Sequence, residues 1–294
     1  MMRCFMPLET GRRSLADPLS PVQARDLATL GWILEIAHVA ILMDDDMMGS
    51  SIFRRRMPCR HLQPNVGLTA VADGRMLRSC SRYLLRIYFQ DHPAYLHLLH
   101  LWDEMEFYTN LGQITDVHLA HTTFFGFRHF NRKTLDFLVS HKTAWYSFYL
   151  PVALASYYLQ LPVTNDLTHV ERIMVTLGKY FQAMDDYLDL FGDPAVLGNM
   201  GNDVYERKLS WPIVEALERF GNKERRLLEV VYSDGNVNQV KAVFQSLEIP
   251  RVYAEFTETS FKTISEMIDQ IDEAQGLKRQ LFHLYLSKIH QRNE

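Results

Sequence analysis

Apolar residues recur every three or four positions along almost the whole chain, and that spacing leaves little room for anything but helices. Leu27, Leu30, Leu34, Ala37 and Ile41 trace one face of a helix, and Val170, Ile173, Leu177, Phe181 and Met184 trace another. Met76, Tyr83 and Ile87, then Leu96, Leu99 and Met105, read as further stripes facing the core. The two-residue alternation of half-buried strands is scarce. Pairs such as Pro64-Asn65, Asp73-Gly74, Leu161-Pro162 and Asp234-Gly235 punctuate the pattern and divide it into about ten helices. No repeat, low-complexity tract or flexible linker separates one part from another. With 294 residues, 47% of them hydrophobic, one large core is expected. The expectation is an all-α single domain over 17–294, preceded by a partly irregular segment over 1–16.

Several function classes fall away at once. A formal net charge of -4 provides no basic field for nucleic acid. Cys4, Cys59 and Cys80 are too few and too scattered for a disulfide framework or a zinc site, and fit a reducing compartment. The cytoplasm is the expected location, ahead of the mitochondrion, because Glu9 and Asp17 interrupt the basic start of Arg3, Arg12 and Arg13. Residues Thr143 to Asn165 carry no charge, yet Ser147, Pro151, Ser156, Gln160 and several aromatics suit a buried helix beside a cavity better than a membrane span. No membrane span is expected.

Two acidic clusters close two of the helices. In LMDDDMMGSSIFRRR, Leu42 to Arg56, Asp44, Asp45 and Asp46 end the first stripe and Arg54, Arg55 and Arg56 follow. In QAMDDYLDLFGD, Gln182 to Asp193, Asp185, Asp186 and Asp189 end the second. Asp185 and Asp189 are spaced i, i+4 and stack on one helix face. Carboxylates one turn apart repel unless a cation lies between them. Their oxygens suit Mg²⁺, which keeps several waters and completes its shell with substrate phosphate. A solvated helix end tolerates the same acids, and a surface basic patch tolerates the same arginines. Repetition favours a ligand: each cluster is followed by basic residues, Arg54 and Arg55 after the first, Lys208 after the second. A diphosphate held by metal ions, guanidinium and ammonium groups accounts for both signs of charge. Beside an apolar cavity, such a site ionises an organic diphosphate and steers the resulting cation.

At this point the chain resembles the farnesyl diphosphate synthase family of isoprenyl diphosphate synthases. The resemblance rests on LGWILEIAHVAILMDDDMMGSSIFRRR, NVGLTAVADGRML, LGQITD, HKTAWYSFYLPVALA and YFQAMDDYLDLFGDPAVLGNMGNDVYERKLSW, and runs from about Gly11 to the C-terminus. It implies an antiparallel helical barrel of the class I isoprenoid synthase type around a deep central cavity. It also implies a homodimer and Mg²⁺, three ions with substrate bound. The implied metal ligands are Asp45 and Asp46 with Asp185, Asp186 and Asp189. Arg54, Lys142 and Lys208 match groups that hold the allylic diphosphate, and Arg55 matches a binder of the second diphosphate. Thr143 and Gln182 match the catalytic polar positions beside the allylic carbon. Gln113 and Asp116 match cavity positions near the metals, and Ala40 and Ile41 match the cavity floor.

The departures shape the functional expectation. Gly49 replaces the i+4 ligand of the first cluster. The family's Gly-Lys-x-x-Arg, aligned with Gly11-Arg12-Arg13-Ser14-Leu15, loses its arginine to Leu15, and a glutamine of the same second site becomes His38. A lysine after the second cluster becomes Asn199. The basic tail becomes His290-Gln291-Arg292-Asn293-Glu294, and bulky floor aromatics become Ala40 and Ile41. Aligned on the family layout, this sequence is expected to begin after roughly its first two helices. With the allylic site kept and the partner site thinned, the expectation is a sesquiterpene synthase similar to insect terpene synthases derived from this family. It would ionise farnesyl diphosphate and cyclise or quench the cation to a hydrocarbon or alcohol. The alternatives are a short-chain isoprenyl diphosphate synthase, which condenses isopentenyl diphosphate with an allylic diphosphate, and a non-catalytic partner subunit.

Overall fold

A computed structural model of the protein describes residues 2–122, 127–165, 167–192, 202–219 and 221–291. Helix α1 spans Met2–Ser14 and α2 spans Pro21–Met48. Ser20 starts α2 with a capping box. Its hydroxyl accepts from the Gln23 amide at 3.2 Å, its own amide donates to Gln23 Oε1 at 2.9 Å, and Pro21 takes the first turn, where no amide proton is needed. A short hairpin follows, β1 (Phe53–Arg54) paired with β2 (Met57–Pro58), with Phe53 opposite Pro58 and Arg54 opposite Met57. It is the only extended pair among the described residues. Then come α3 (Ala70–Phe89), α4 (Tyr95–Thr122) and α5 (Arg132–Val139). Helix α5 runs on into a wider π-helical stretch, Ser140–Tyr149, and then α6, Leu150–Tyr158. The rest is α7 (Thr168–Phe191), α8 (Trp211–Arg219), α9 (Asn222–Ser233), α10 (Val237–Ser246), α11 (Ile249–Asp269) and α12 (Arg279–His290).

The expected stripes of α2 and α7 form the centre of the core. Leu27, Leu30, Leu34, Ala37 and Ile41 are buried, as are Val170, Ile173, Leu177 and Met184. Helix α2 packs between α1 and α3, and the π-helical stretch packs between α4 and α7. The uncharged run from Thr143 is this stretch continued into α6, and it is buried. By length and composition it is instead α2 that could cross a membrane; half of its most apolar window is buried, and it ends in three aspartates.

The expected stripe turns outward on α3 and at the start of α4, and inward farther along α4. Met76, Tyr83, Ile87 and Leu96 are exposed, Met76 by 64%, whereas Leu99 packs on the core and Met105 is buried in it, with Leu85, Phe89, Leu98 and Trp102 beside it. Both helices carry apolar residues on two faces, so spacing alone does not say which face turns inward. Residues 2–14, grouped with the partly irregular start, form helix α1 despite Pro7 and Gly11, both poor helix formers. Packing of Cys4, Met6 and Thr10 into the core supplies what propensity withholds.

The α1–α2 contact depends on Gly31. A Cβ at this position would lie 1.9 Å from the Cys4 carbonyl oxygen, so a methyl group there forces the two helices apart. Gly31→Ala is expected to lower stability by about 1–3 kcal/mol, the usual penalty for overpacking. Urea unfolding checks this as a lower midpoint at unchanged slope.

Candidate active site

A cavity of about 500 Å³ is walled by α1, α2, the hairpin, α4, the π-helical stretch, α7 and the segment 202–209. On one side its charge is organised around Asp45. Asp45 Oδ1 accepts from Gln113 Nε2 at 3.0 Å and Lys142 Nζ at 2.9 Å, and Oδ2 lies 3.3 Å from Arg54 Nη2. Lys142 also donates to Asp116 Oδ2 at 2.5 Å. Burial alone would raise the Asp45 pKa, but Lys142 and Lys208 outweigh it and hold this carboxyl well below its usual range. Burial opposes the charge of Lys142 in turn, and Asp116 and Asp45 overcome it, so the ammonium stays protonated. Arg54 donates from Nε and Nη2 to Asp46 Oδ1 at 2.8 and 2.5 Å.

The second cluster ends α7 on the same cavity. Asp189 accepts from the backbone amides of Asn202 and Asp203 at 3.2 and 3.0 Å. Asp186 accepts from Gln182 Nε2 at 2.8 Å and from the Trp211 amide, at the start of α8, at 2.8 Å. Burial, then the neighbouring carboxylates Asp185 and Asp189, push Asp186 up to about 7. Burial also raises Asp189 and, with Asp189 beside it, raises Asp203 well above the ordinary value. Lys208 faces both sets of acids, its charge favoured by Asp45 and Asp203 against the pull of burial.

A second cationic pole lies on another wall. Arg3 reaches in from α1 and donates from Nε to Ser147 Oγ at 2.8 Å. Its Nη1 is 3.0 Å from His38 Nε2, and His38 Nδ1 is 3.0 Å from the Tyr146 hydroxyl. A guanidinium only donates, so His38 accepts through Nε2 and carries its proton on Nδ1. The Arg3 guanidinium also sits over the Tyr146 ring, 5.4 Å from its centroid. Arg55 completes this pole, 3.9 Å from the buried Glu35. The hairpin that aims it is unusual: Arg55 and Arg56 take φ of 52° and 66°, the left-handed region. Two-residue hairpins want this conformation but normally use Asn-Gly, and each non-glycine residue held there costs on the order of 1–3 kcal/mol.

Most of the residues singled out from the sequence meet in this cavity. Asp45, Asp185, Asp186, Asp189, Arg54, Arg55, Lys142, Lys208, Thr143, Gln182, Gln113, Asp116 and Ile41 all line it. Asp46 does not. It is buried beneath Arg54, which it orients. Ala40 is buried in α2 behind the lining. Asn199 and the tail residues 292–294 lie outside the described residues, and His290 packs on Tyr180. The alignment of Gly11–Leu15 with the second diphosphate site needs correcting. Arg12 and Arg13 pair with Glu9, and neither they nor Leu15 line the cavity. Arg3 does, and no spacing rule marks it. Its place follows from the register of α1 on α2. Tyr146 was missed for a similar reason, since the π-helical turn that presents it has no simple periodicity.

The residues present fit Mg²⁺. The ligands on offer are all oxygens, and Gln113 Oε1 is buried with no hydrogen-bond partner. Among the described residues no three acidic, histidine or cysteine side chains already converge as a metal site. The protein therefore supplies part of a coordination shell and leaves water and phosphate oxygens to complete it.

The sequence profile described as polyprenyl synthetase matches residues 9–247. Farnesyl pyrophosphate synthase of Schizosaccharomyces pombe is 37% identical, covering 95% of this chain and 82% of that protein. The Saccharomyces cerevisiae enzyme is 36% identical, covering 95% and 80%. A solved structure of Trypanosoma brucei (T. brucei) farnesyl diphosphate synthase complexed with minodronate superposes with a TM-score of 0.91 at 22% identity, over 99% of this chain and 87% of that one. The fold is thus the all-α isoprenoid synthase barrel. These relatives are named farnesyl pyrophosphate or diphosphate synthases, and that overturns the expectation of a sesquiterpene synthase. The physical reason lies in Arg3: the argument for an abandoned second site rested in part on Leu15, which is not in the cavity, while Arg3 supplies a cation beside His38.

His38 gives this wall a pH signature. Burial, then Arg3 and Arg55, push its pKa down to about 2, whereas an unfolded histidine titrates near 6.5. Between these values the unfolded chain binds a proton that the folded chain refuses, so this group's contribution to stability rises with pH across the window and is constant above about 6.5. His38→Gln removes the effect. Its stability relative to wild type should improve below pH 6.5, by up to about 1.4 kcal/mol per pH unit. Urea unfolding of both proteins at pH 7, 6 and 5 measures this, and a difference independent of pH would show that His38 titrates in the fold.

Proposed function

This chain belongs to the polyprenyl synthetase family, and within it we propose a short-chain isoprenyl diphosphate synthase that joins isopentenyl diphosphate to an allylic diphosphate. The observation that supports this reading is the pair of cationic poles in one cavity. Lys142, Lys208 and Arg54 stand among the aspartates, and Arg3 and Arg55 stand beside His38. A reaction of one diphosphate needs one pole, and a condensation of two needs both.

In this reading the allylic diphosphate lies at the aspartate pole, its chain against Ile41, Leu138, Val139 and Phe181. Asp45, Asp185, Asp186 and Asp189 would hold Mg²⁺, proposed as three ions, which would supply charge neutralisation for the departing diphosphate. The allylic C–O bond breaks and both electrons leave with the diphosphate, to which Lys142, Lys208 and Arg54 donate. The Gln182 and Thr143 oxygens face the allylic cation. The isopentenyl double bond, fixed through its diphosphate at Arg3 and Arg55, attacks that carbon. A carbon–carbon bond forms, the resulting cation loses one proton to the released diphosphate, and a longer allylic diphosphate and inorganic diphosphate result. Proximity between the two bound chains supplies much of the rate.

The same reading includes a homodimer, supported by the exposed apolar side chains of α3 and α4, among them Met76, Tyr83, Ile87, Phe107 and Ile114. It also includes a cytoplasmic setting, supported by three free cysteines.

Purified protein with Mg²⁺, isopentenyl diphosphate and dimethylallyl or geranyl diphosphate should yield a longer prenyl diphosphate. Folded protein that extends neither would sink the reading. Arg3→Ala should raise KM for isopentenyl diphosphate by roughly 10–100-fold, the worth of one charge-assisted contact, and move KM for the allylic substrate much less. Steady-state kinetics with each substrate varied in turn separates the two.

A further inference from the structure

The first acidic cluster has glycine where its fourth-residue carboxylate would stand, yet a carboxylate occupies the neighbouring space. A Cβ built on Gly49 would lie 2.7 Å from Glu206 Oε2 and 3.1 Å from Glu206 Cδ. Glu206 belongs to the segment that follows the second cluster. Its side chain is 8% exposed and lines the same cavity as Asp45. We propose that Glu206 supplies to a diphosphate-bound divalent cation the carboxylate that position 49 lacks. The ligand set of the first cluster would then be assembled through space, Asp45 from α2 and Glu206 from the segment after the second cluster, whose carboxylate reaches the end of α2. The inference rests on the reading of this cavity as a magnesium diphosphate site.

Three features argue for it. Gly49 and Glu206 are sterically complementary: a side chain at 49 would displace the Glu206 carboxylate from its place. A glutamate, one methylene longer than aspartate, is the residue that reaches this point from a separate segment. The second, independent sign of a cation is Gln113. Its Nε2 donates to Asp45, which fixes the amide, and its Oε1 is buried, lines the same cavity and accepts from no donor. An acceptor left without a donor among carboxylates calls for a cation or its bound water.

Lys208 Nζ lies 2.8 Å from Glu206 Oε2 and 4.0 Å from Asp203 Oδ1. A diphosphate competes for that ammonium as a cation competes for the carboxylate. Binding of the pair therefore exchanges one ion pair for two and leaves no buried charge alone.

The test reads binding rather than turnover. Inorganic diphosphate binding is measured by calorimetry across a Mg²⁺ series for wild type, Glu206→Gln, Gly49→Asp and the double variant Gly49→Asp/Glu206→Ala. Glu206→Gln keeps the shape and should raise the half-saturating Mg²⁺ concentration by about tenfold or more, the usual loss for a group in a metal site. Gly49→Asp alone should bring no gain, because its side chain meets Glu206. The double variant should return to within about threefold of wild type. An unchanged Mg²⁺ requirement in Glu206→Gln, or a double variant as weak as Glu206→Gln, overturns the inference and leaves the proposed reaction standing. Wild type that binds diphosphate with no Mg²⁺ dependence overturns both.

Discussion

One buried ammonium sets the terms for the rest of the molecule. Lys142 stands between Asp45 and Asp116, and the three side chains come from the π-helical stretch, α2 and α4. Removing one partner of such a group typically destabilises by about 3–5 kcal/mol, because the charge left behind is uncompensated. The arrangement adds little net stability over an apolar core, but it rules out other helix registers. A shift of α2 by one residue would turn Asp45 about a quarter of the way round its helix and strand the lysine. The same logic extends outward: Arg54 of the hairpin needs Asp46 of α2, and Lys208 needs Glu206 beside it in the segment after the second cluster.

Two different solutions to burying charge are built around one cavity. On the aspartate side, acids outnumber bases, and Asp186, Asp189 and Asp203 have raised pKa values that ease as cations arrive. On the Arg3 side, bases dominate, and the buried histidine beside Arg3, His38, is kept neutral. The first wall is prepared for metal and phosphate together, the second for phosphate alone. That asymmetry of charge supports assigning different substrates to the two poles.

Much of this was legible in the sequence, and the rest was hidden for reasons that can be named. The α2 and α7 stripes and the two acidic clusters are local patterns, and both landed where periodicity put them. Lys142, Thr143, Gln113 and Asp116 came from motif resemblance and line the cavity as expected. Asp46 was legible as an acid but not as the partner of Arg54, since its burial depends on the hairpin. Arg3 was invisible. Its role depends on how closely α1 approaches α2 at Gly31, a tertiary contact with no local signature. The outward stripe of α3 and of the start of α4 misled because periodicity identifies a face and not its neighbour. The hairpin itself was missed because Arg55-Arg56 stands where Asn-Gly would signal the turn.

That turn divides two adjacent residues by evolutionary freedom. Arg55 and Arg56 carry the same kind of backbone penalty, but only Arg55 lines the cavity. Drift at 56 toward glycine would relax the chain and leave the anion contacts of the cavity as they are. The same drift at 55 would gain comparable stability and remove a cation from the second pole. Selection for a sturdier protein and selection for a working one therefore pull together at one position and apart at the next.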